Sequence, residues 1–242
     1  DGRSAILMIA PRRPDGPPVR NGKPYSQIAK LAEDVKPFVA LAHGLRSHGF
    51  SAPAIYASDL DAGLLLIEDL GSEGVLADGA PVEERYMEAA AALAHLHALT
   101  LPQQLPVAGG IAHAIPRYDL EALSMETELL LDWYLPHMGQ TTLPITARVA
   151  FADIWSRLLG PVLAAPVTWT LRDYHSPNLI WLAERQGVQR VGIIDFQDCV
   201  LGPPAYDVVS LTQDARVDVP AEMELRLLGH YVRLRRTIDP AF

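Results

Sequence analysis

Short continuous apolar runs and one amphipathic segment dominate the first third of the chain and predict a small sheet with a helix. Residues 5–10 (AILMIA) form an apolar run typical of a buried strand. Apolar residues recur at helical spacing over 35–48, and residues 53–57 and 63–67 predict two further strands. Between the first strand and the helix, residues 11–24 contain five prolines and two glycines, which predicts a long loop. The expected order is strand, loop, helix, strand, strand.

Helical periodicity dominates after residue 71. Helices are predicted over 82–99, 119–134, 147–159, 205–215 and 220–236. Strands are predicted over 167–171, 179–182 and 190–195, and a polar turn at 184–187 joins the last two into a hairpin. The pattern therefore predicts an α+β fold with two lobes. The first is small and strand-rich (residues 1–70), and the second is larger and mainly helical with an embedded hairpin (residues 71–242).

Composition and charge narrow the class of protein. The chain is 49% hydrophobic, so it is expected to fold rather than remain disordered. Its formal net charge of −9 argues against nucleic-acid and anionic-membrane partners, which need clustered positive charge. No apolar run approaches the roughly 20 residues that span a bilayer, and no basic-then-apolar leader is present. The single cysteine, Cys199, cannot form an internal disulfide, which favours the cytoplasm.

The residues that can carry chemistry are concentrated between positions 171 and 195. Asp173 and Asn178 lie five positions apart in a predicted loop between strands, and Asp195 follows 17 residues later at the end of the next strand. A carboxylate that can orient a hydroxyl, together with an amide and a second carboxylate, is typical of metal-assisted phosphoryl transfer. Hard oxygen ligands suit Mg²⁺, and the phosphates of the substrate then complete the coordination shell of the ion.

The same residues carry a resemblance to a known family. Asp173-x-x-x-x-Asn178 followed by Ile194-Asp195-Phe196 resembles the catalytic and metal-binding loops of the protein-kinase-like fold, in the form of the aminoglycoside phosphotransferase and choline kinase family. Similar motifs extend over nearly the whole chain: LLLIEDLG (64–71), ALAHLHAL (92–99) and GPPAYDVVSL (202–211). LRDYHSPNL, IDFQD and AYDVVSLTQDAR look most like bacterial N-acetylmuramate/N-acetylglucosamine anomeric kinases.

The resemblance implies a bilobal fold with ATP as co-substrate and a role for each matching residue. Asp173 would be the catalytic base, and Asn178 and Asp195 would ligate Mg²⁺. Asp207 would brace the catalytic loop. Only seven residues precede Met8, so the first lobe is expected to be truncated and both lobes incomplete.

The nucleotide site combines family features with departures from them. By resemblance, the Glu68 carbonyl and the Leu70 amide would pair with adenine, with the Glu68 side chain pointing elsewhere. Met8 occupies the position where the family has a phosphate-binding lysine, and Leu171 stands where it has a histidine. The helix over 35–48 contains no Asp or Glu, so the usual glutamate partner of that lysine is missing too. We hypothesise that another cation holds the phosphates, with four candidates: Arg12, Arg13, Lys23 and Lys36.

Several residues are open to two interpretations. His175 lies inside the catalytic loop, where it could touch substrate or make a structural hydrogen bond to backbone. Asp198 follows IDFQ and could contact substrate or be a solvated loop charge. Trp133 and Trp169 could stack on a sugar, although large aromatic side chains are more often part of the core.

The predicted function is ATP-dependent phosphorylation of the anomeric hydroxyl of N-acetylmuramate or N-acetylglucosamine, as in cell-wall recycling. One alternative is an aminoglycoside O-phosphotransferase, since a net charge of −9 would suit a polycationic antibiotic. The other is a nucleotide-binding pseudokinase scaffold, which Met8 and Leu171 would favour.

Overall fold

The computed structural model describes residues 4–139 and 143–242, so positions 1–3 of the first predicted lobe lie outside the described residues. Its first elements are β1 (Ala5–Ile9), β2 (Pro18–Arg20), β3 (Lys23–Pro24), α1 (Tyr25–Ala29), α2 (Lys36–Ser47), β4 (Ile55–Asp59) and β5 (Leu64–Glu68). Strands β1, β5 and β4 form an antiparallel three-stranded sheet in that order. The three strands predicted for this part of the chain are confirmed, with shifted ends. The expected burial of the first strand is wrong, because Ile6, Leu7 and Ile9 of β1 are exposed.

The remainder of the chain is mainly helical. Its helices are α3 (Glu83–Leu96), α4 (Leu120–Leu129), α5 (Leu135–His137), α6 (Ile145–Ala164), α7 (Ala205–Thr212) and α8 (Ala221–Ile238). Its strands form antiparallel pairs: β6 (Leu76–Ala77) with β7 (Ala80–Pro81), β8 (Gln104–Pro106) with β9 (Ala112–Ala114), β10 (Thr168–Thr170) with β13 (Val200–Gly202), and β11 (Leu179–Trp181) with β12 (Val191–Ile193). The α+β class and the hairpin β11–β12 are confirmed. Every helix in the described part of the chain is too short or too polar to cross a membrane.

The loop predicted over residues 11–24 is wrong in part, because it contains the hairpin β2–β3. The two strands are joined at Asn21–Gly22, whose φ angles of +50° and +74° are left-handed. Asn-Gly is the dipeptide that favours a two-residue hairpin turn, so this signal was present within the proline-rich composition. The prolines at the ends of the hairpin, Pro18 and Pro24, are paired with one another.

This hairpin and α1 lie against α4 rather than against the three-stranded sheet. Lys23 Nζ is 2.9 Å from a carboxylate oxygen of Glu121, and Lys30 Nζ is 2.8 Å from one of Asp119. Arg20 makes a further ion pair with Glu128. Lys23, one of the four cations considered for the phosphates, is therefore held on α4.

A continuous hydrophobic core runs from α2 and β5 through the strands around the predicted catalytic loops to α3 and α8. The Phe38 ring of α2 stacks on Phe196 with ring centres 4.9 Å apart. Trp169 is buried, as expected for a core residue, and its indole N–H donates to the Pro102 carbonyl at 2.9 Å. Trp133 is 73% exposed, which contradicts the core interpretation of that residue. It lies in the π-helical turns over 130–134 that connect α4 to α5.

The close packing of α2 on Trp169 gives a direct prediction for Gly44. A Cβ atom added at this position would lie 2.7 Å from Trp169 Cη2 and 3.0 Å from Leu105 Cδ1. Overpacking of this kind costs about 1–3 kcal/mol, which offsets the gain of about 1 kcal/mol in helix propensity. We therefore expect Gly44→Ala to lower the midpoint of urea unfolding.

The matched control is Gly229 of α8, where an added Cβ meets only the flexible end of the Arg233 side chain, at 3.3 Å. Gly229→Ala is also a substitution within a helix, and it should raise the urea midpoint through helix propensity. If both variants shift the midpoint in the same direction, the packing argument for Gly44 is wrong.

Candidate active site

The loop between β10 and β11 presents Asp173 to solvent and fixes it through its backbone. The Asp173 carbonyl accepts hydrogen bonds from the His175 N–H at 3.0 Å and from Asn178 Nδ2 at 3.0 Å. The Asp173 side chain is 49% exposed, and its Oδ1 lies 3.5 Å from His175 Nε2. The loop can therefore hold its shape while the carboxylate remains open to a ligand.

Asn178 and Asp195, predicted as metal ligands, lie side by side. Asn178 Nδ2 is 3.3 Å from Asp195 Oδ2, and Gln197 Nε2 donates to Asp195 Oδ1 at 2.6 Å. Asp195 follows β12 with a left-handed φ of +59°, a conformation that aspartate tolerates better than most residues. Because Asn178 Nδ2 is engaged on Asp173 and Asp195, the Asn178 oxygen is left for a ligand. The pair thus offers the hard oxygen donors that Mg²⁺ prefers, and the donor set fits this ion.

Two buried aspartates brace the loop from the region of α7. Asp207 is 0% exposed and accepts the backbone N–H groups of Leu171 at 2.7 Å and Arg172 at 2.9 Å. Asp214 accepts the N–H groups of Ser176 at 2.8 Å and Arg216 at 2.7 Å. These hydrogen bonds tie the chain on both sides of Asp173 to the region of α7. Sequence reasoning missed Asp214, which lies two residues beyond the end of α7, so helical spacing from Asp207 gave no signal for it.

Arg172, directly before Asp173, was also missed. Its φ of +69° is unusual for a residue with a side chain and is held by contacts on several elements. The guanidinium donates to the Ala29 carbonyl at 2.8 Å and to Glu126 Oε1 at 2.6 Å, while Ser210 Oγ donates to the Arg172 carbonyl at 3.0 Å. The residue before Asp173 is therefore tied to α1, α4 and α7 together.

A cavity of about 690 Å³ opens beside Asp173, between the loop that carries this residue and helices α4, α6 and α7. Its polar lining includes Asp173, His175, Glu126 and Arg216, and Trp155 and Leu159 contribute an apolar wall. The Tyr118 and Tyr206 hydroxyls donate to Glu126 Oε2 at 2.6 and 3.3 Å. Burial, together with this carboxylate, raises the pKa of both tyrosines, so both remain neutral donors.

His175 and Asp198, the two candidates for substrate contact, differ in position. His175 lines the cavity, and its Nδ1 is buried without a hydrogen-bond partner among residues 4–139 and 143–242. Asp198 Oδ1 instead accepts the Ala32 N–H at 2.6 Å, ahead of α2, and Asp198 does not line this cavity. Burial, with a smaller contribution from the nearby carboxylates of Asp173 and Asp195, raises the pKa of Asp198. The structure thus brings His175, but not Asp198, to the cavity beside Asp173.

At the predicted adenine site, both carboxylate oxygens of Glu68 accept hydrogen bonds from the protein. Its Oε1 accepts from Arg185 at 2.7 Å, and its Oε2 accepts from the Ala54 N–H at 3.0 Å and from Arg46 at 3.2 Å. The carboxylate is therefore held by Arg185, Arg46 and the Ala54 N–H. The Leu70 side chain lies against Gly192 of β12.

Three of the four candidate phosphate-binding cations border cavities that reach Gln197. Arg12 and Lys36 line a cavity of about 480 Å³ with Gln197. Arg13 and Met8 line a neighbouring one of about 590 Å³ that Gln197 also borders. Since Gln197 donates to Asp195, these cations lie on the side of the predicted metal ligands.

The chain resembles known proteins in both sequence and structure. Residues 1–240 match the profile of the phosphotransferase enzyme family (APH). The chain is 35% identical over 238 residues to an N-acetylmuramate/N-acetylglucosamine kinase of Caulobacter vibrioides, covering 96% of this chain and 65% of that protein. It is 34% identical over 203 residues to the kinase of the same name from Pseudomonas putida, covering 82% of this chain and 55% of that one. The chain thus spans less than two thirds of the length of these relatives.

Two solved structures share the fold. Choline kinase LicA from Streptococcus pneumoniae superposes with a TM-score of 0.61 at 15% identity, covering 95% of this chain and 68% of LicA. Macrolide 2'-phosphotransferase MphH from Brachybacterium faecium gives a TM-score of 0.55 at 16% identity, covering 96% and 70%. At this identity the likeness concerns the fold alone, and it confirms the predicted protein-kinase-like architecture.

Proposed function

Because the chain belongs to the phosphotransferase enzyme family, we propose that the protein is a kinase that phosphorylates the anomeric hydroxyl of N-acetylmuramate or N-acetylglucosamine with ATP. The observation that carries the proposal is that Asp173 borders a cavity of about 690 Å³ while its carbonyl accepts a hydrogen bond from Asn178, which in turn contacts Asp195. The residues up to 70 would form the nucleotide lobe, and residues 71–242 the catalytic and substrate lobe.

Asp173 would act as the base. Its carboxylate would accept the proton of the sugar hydroxyl as the hydroxyl oxygen bonds to the γ-phosphorus and the bond from that phosphorus to the ADP oxygen breaks. The exposed carboxylate and its rigid loop suit this task, because most of the catalysis in phosphoryl transfer is positioning and charge neutralisation. His175, 3.5 Å from the same carboxylate, would orient it or the sugar.

Asn178 and Asp195 would hold Mg²⁺ through their side-chain oxygens. The ion would supply charge neutralisation for the phosphates of ATP. Gln197 keeps Asp195 oriented through its 2.6 Å hydrogen bond. The side chains that form this site are thus already held in position by one another.

For the nucleotide, the Glu68 carbonyl and the Leu70 amide would pair with adenine. Half-buried Met8, at the position of the family lysine, cannot carry positive charge. We therefore assign the phosphates to the cations that border the cavities at Gln197, and to Arg13 first. Lys36 is paired with Asp34 at 2.9 Å and Arg12 with Glu33 at 3.7 Å, whereas Arg13 makes no ion pair among the described residues.

The charges in the cavity favour an amino sugar over an aminoglycoside. Glu126 is neutralised by Arg172, which leaves Asp173 as the only carboxylate without a cationic arginine partner among the described residues that line the cavity. Arg216 adds a positive charge, which would repel a polycation. The scaffold alternative does not account for a base and metal-ligand set held in mutual contact.

The test is turnover with MgATP of N-acetylmuramate, N-acetylglucosamine and kanamycin at equal concentrations. We expect ADP release with both sugars, and a sugar 1-phosphate identified by phosphorus NMR. Turnover of kanamycin alone would overturn the amino-sugar assignment, and no turnover of any substrate despite ATP binding would favour the scaffold.

A further inference from the structure

Arg216 is the feature of the cavity that the reaction itself does not use. Its backbone is fixed, because its N–H donates to buried Asp214 at 2.7 Å. Its side chain is exposed and borders the same cavity as Asp173. Across residues 4–139 and 143–242, no carboxylate lies within 4.0 Å of its guanidinium.

The other arginine of the cavity shows the contrast. Arg172 is paired with Glu126 at 2.6 Å and donates to the Ala29 carbonyl, so its charge is already neutralised by the protein. Of the charged groups that line the cavity, Asp173 and Arg216 therefore remain available to a ligand. A ligand that offers a hydroxyl to the first and an anion to the second would match both.

We propose that Arg216 binds the carboxylate of an acidic amino sugar while the sugar hydroxyl lies at Asp173. This rests on the proposed function and identifies the preferred substrate class as a sugar that bears a lactyl carboxylate, as N-acetylmuramate does. A guanidinium suits this role because its planar N–H groups match the two oxygens of a carboxylate. Trp155 and Leu159 of α6 provide an apolar wall for the sugar face and the lactyl methyl group.

A carboxylate site at Arg216 would distinguish N-acetylmuramate from N-acetylglucosamine, which the proposed function treats alike. N-acetylglucosamine has no carboxylate, so its binding leaves Arg216 hydrated. One charge-assisted contact at a partly solvated site is worth about a tenfold difference in affinity. We therefore expect the protein to have a kcat/KM about tenfold higher for N-acetylmuramate than for N-acetylglucosamine.

The decisive variant is Arg216→Gln, which removes the charge and keeps hydrogen-bonding capacity. The ratio of kcat/KM for N-acetylmuramate to that for N-acetylglucosamine should fall by about tenfold, mostly through the KM for N-acetylmuramate. Arg216→Lys keeps the charge but not the planar guanidinium. Its kcat/KM ratio should therefore lie between those of the wild type and Arg216→Gln. Arg236→Gln, on the exposed side of α8, is the matched control and should leave the ratio unchanged. Calorimetric titration of each sugar, without ATP, gives the corresponding ratio of the two Kd values independently of turnover.

The outcomes distinguish this inference from the proposed function. Turnover of both sugars with a ratio that Arg216→Gln does not change would overturn the carboxylate site and leave the kinase assignment standing. An equal loss on both sugars would assign Arg216 a structural role, and an increase in the KM for ATP would assign it to the nucleotide; either result overturns the inference. If the unmodified protein neither phosphorylates nor binds either sugar, both the inference and the proposed function are wrong.

Discussion

Asp173→Asn is expected to lower kcat by a factor of about 10²–10⁴, the usual contribution of a positioned general base. Asparagine has nearly the shape of aspartate but cannot accept the proton of the sugar hydroxyl. The loop should keep its form, because it is held by the Asp173 carbonyl, which accepts from His175 N–H and Asn178 Nδ2. ATP binding should be spared, since Asp173 is not one of the residues assigned to the nucleotide.

The measurement is kcat with N-acetylmuramate and MgATP, alongside the Kd for ATP by calorimetry and the midpoint of urea unfolding. Asp61→Asn, in an exposed turn after β4, is the matched substitution and should change none of the three. Wild-type kcat in Asp173→Asn would contradict the mechanism. A large drop in the urea midpoint would instead show that the carboxylate is structural.

The close approach of Asp173, Asn178 and Asp195 could be predicted from the sequence because these residues belong to short segments with fixed spacing. Asp173 and Asn178 share one loop, and Asp195 ends the strand that pairs with β11, so local structure alone brings the three together. The longer helices were predictable for a similar reason, since periodicity is a local property, whereas the short helices α1 and α5 were not predicted.

The supporting groups depend on contacts between distant segments, which periodicity does not encode. Arg172 pairs with Glu126 on α4, and Asp198 binds the Ala32 N–H, across 46 and 166 positions respectively. Neither contact can be predicted from the hydrophobic and polar pattern around Arg172 or Asp198.

Two wrong expectations have related causes. Proline-rich composition outweighed the Asn21–Gly22 turn signal, so the hairpin β2–β3 was predicted as a loop. For Trp133, hydrophobicity predicted burial, but burial also requires a partner surface at that face of the helix. Whether a face has such a partner is a property of the packed molecule, and a large apolar side chain can lie on the surface.

Asp207→Ala is expected to lower both the stability and the activity of the protein. The carboxylate is completely buried and is the acceptor for two backbone N–H groups, those of Leu171 and Arg172. Removing it leaves both donors without that partner, at a cost of about 1–3 kcal/mol each, so the free energy of unfolding should fall by about 2–6 kcal/mol. Asp207→Asn should cost less, because its amide oxygen can still accept one of the two hydrogen bonds.

Urea unfolding tests the stability effect, with Asp153→Ala on the exposed surface of α6 as the control that should stay near wild type. An Asp207→Ala midpoint equal to that of the control would show that the two backbone bonds are not what holds this part of the structure. Activity is then compared at a temperature where the variant remains folded.

The activity effect separates a positioning role from a purely structural one. Arg172 has a left-handed φ of +69° directly before Asp173, and Asp207 binds its N–H. Loss of that bond allows the backbone at Arg172 to relax, which moves the Asp173 carboxylate away from the sugar hydroxyl. We therefore expect kcat of the folded Asp207→Ala variant to fall while the KM for ATP changes little. Because Asp207 would act through Asp173, adding Asp173→Asn should lower kcat by much less than it does in the wild type.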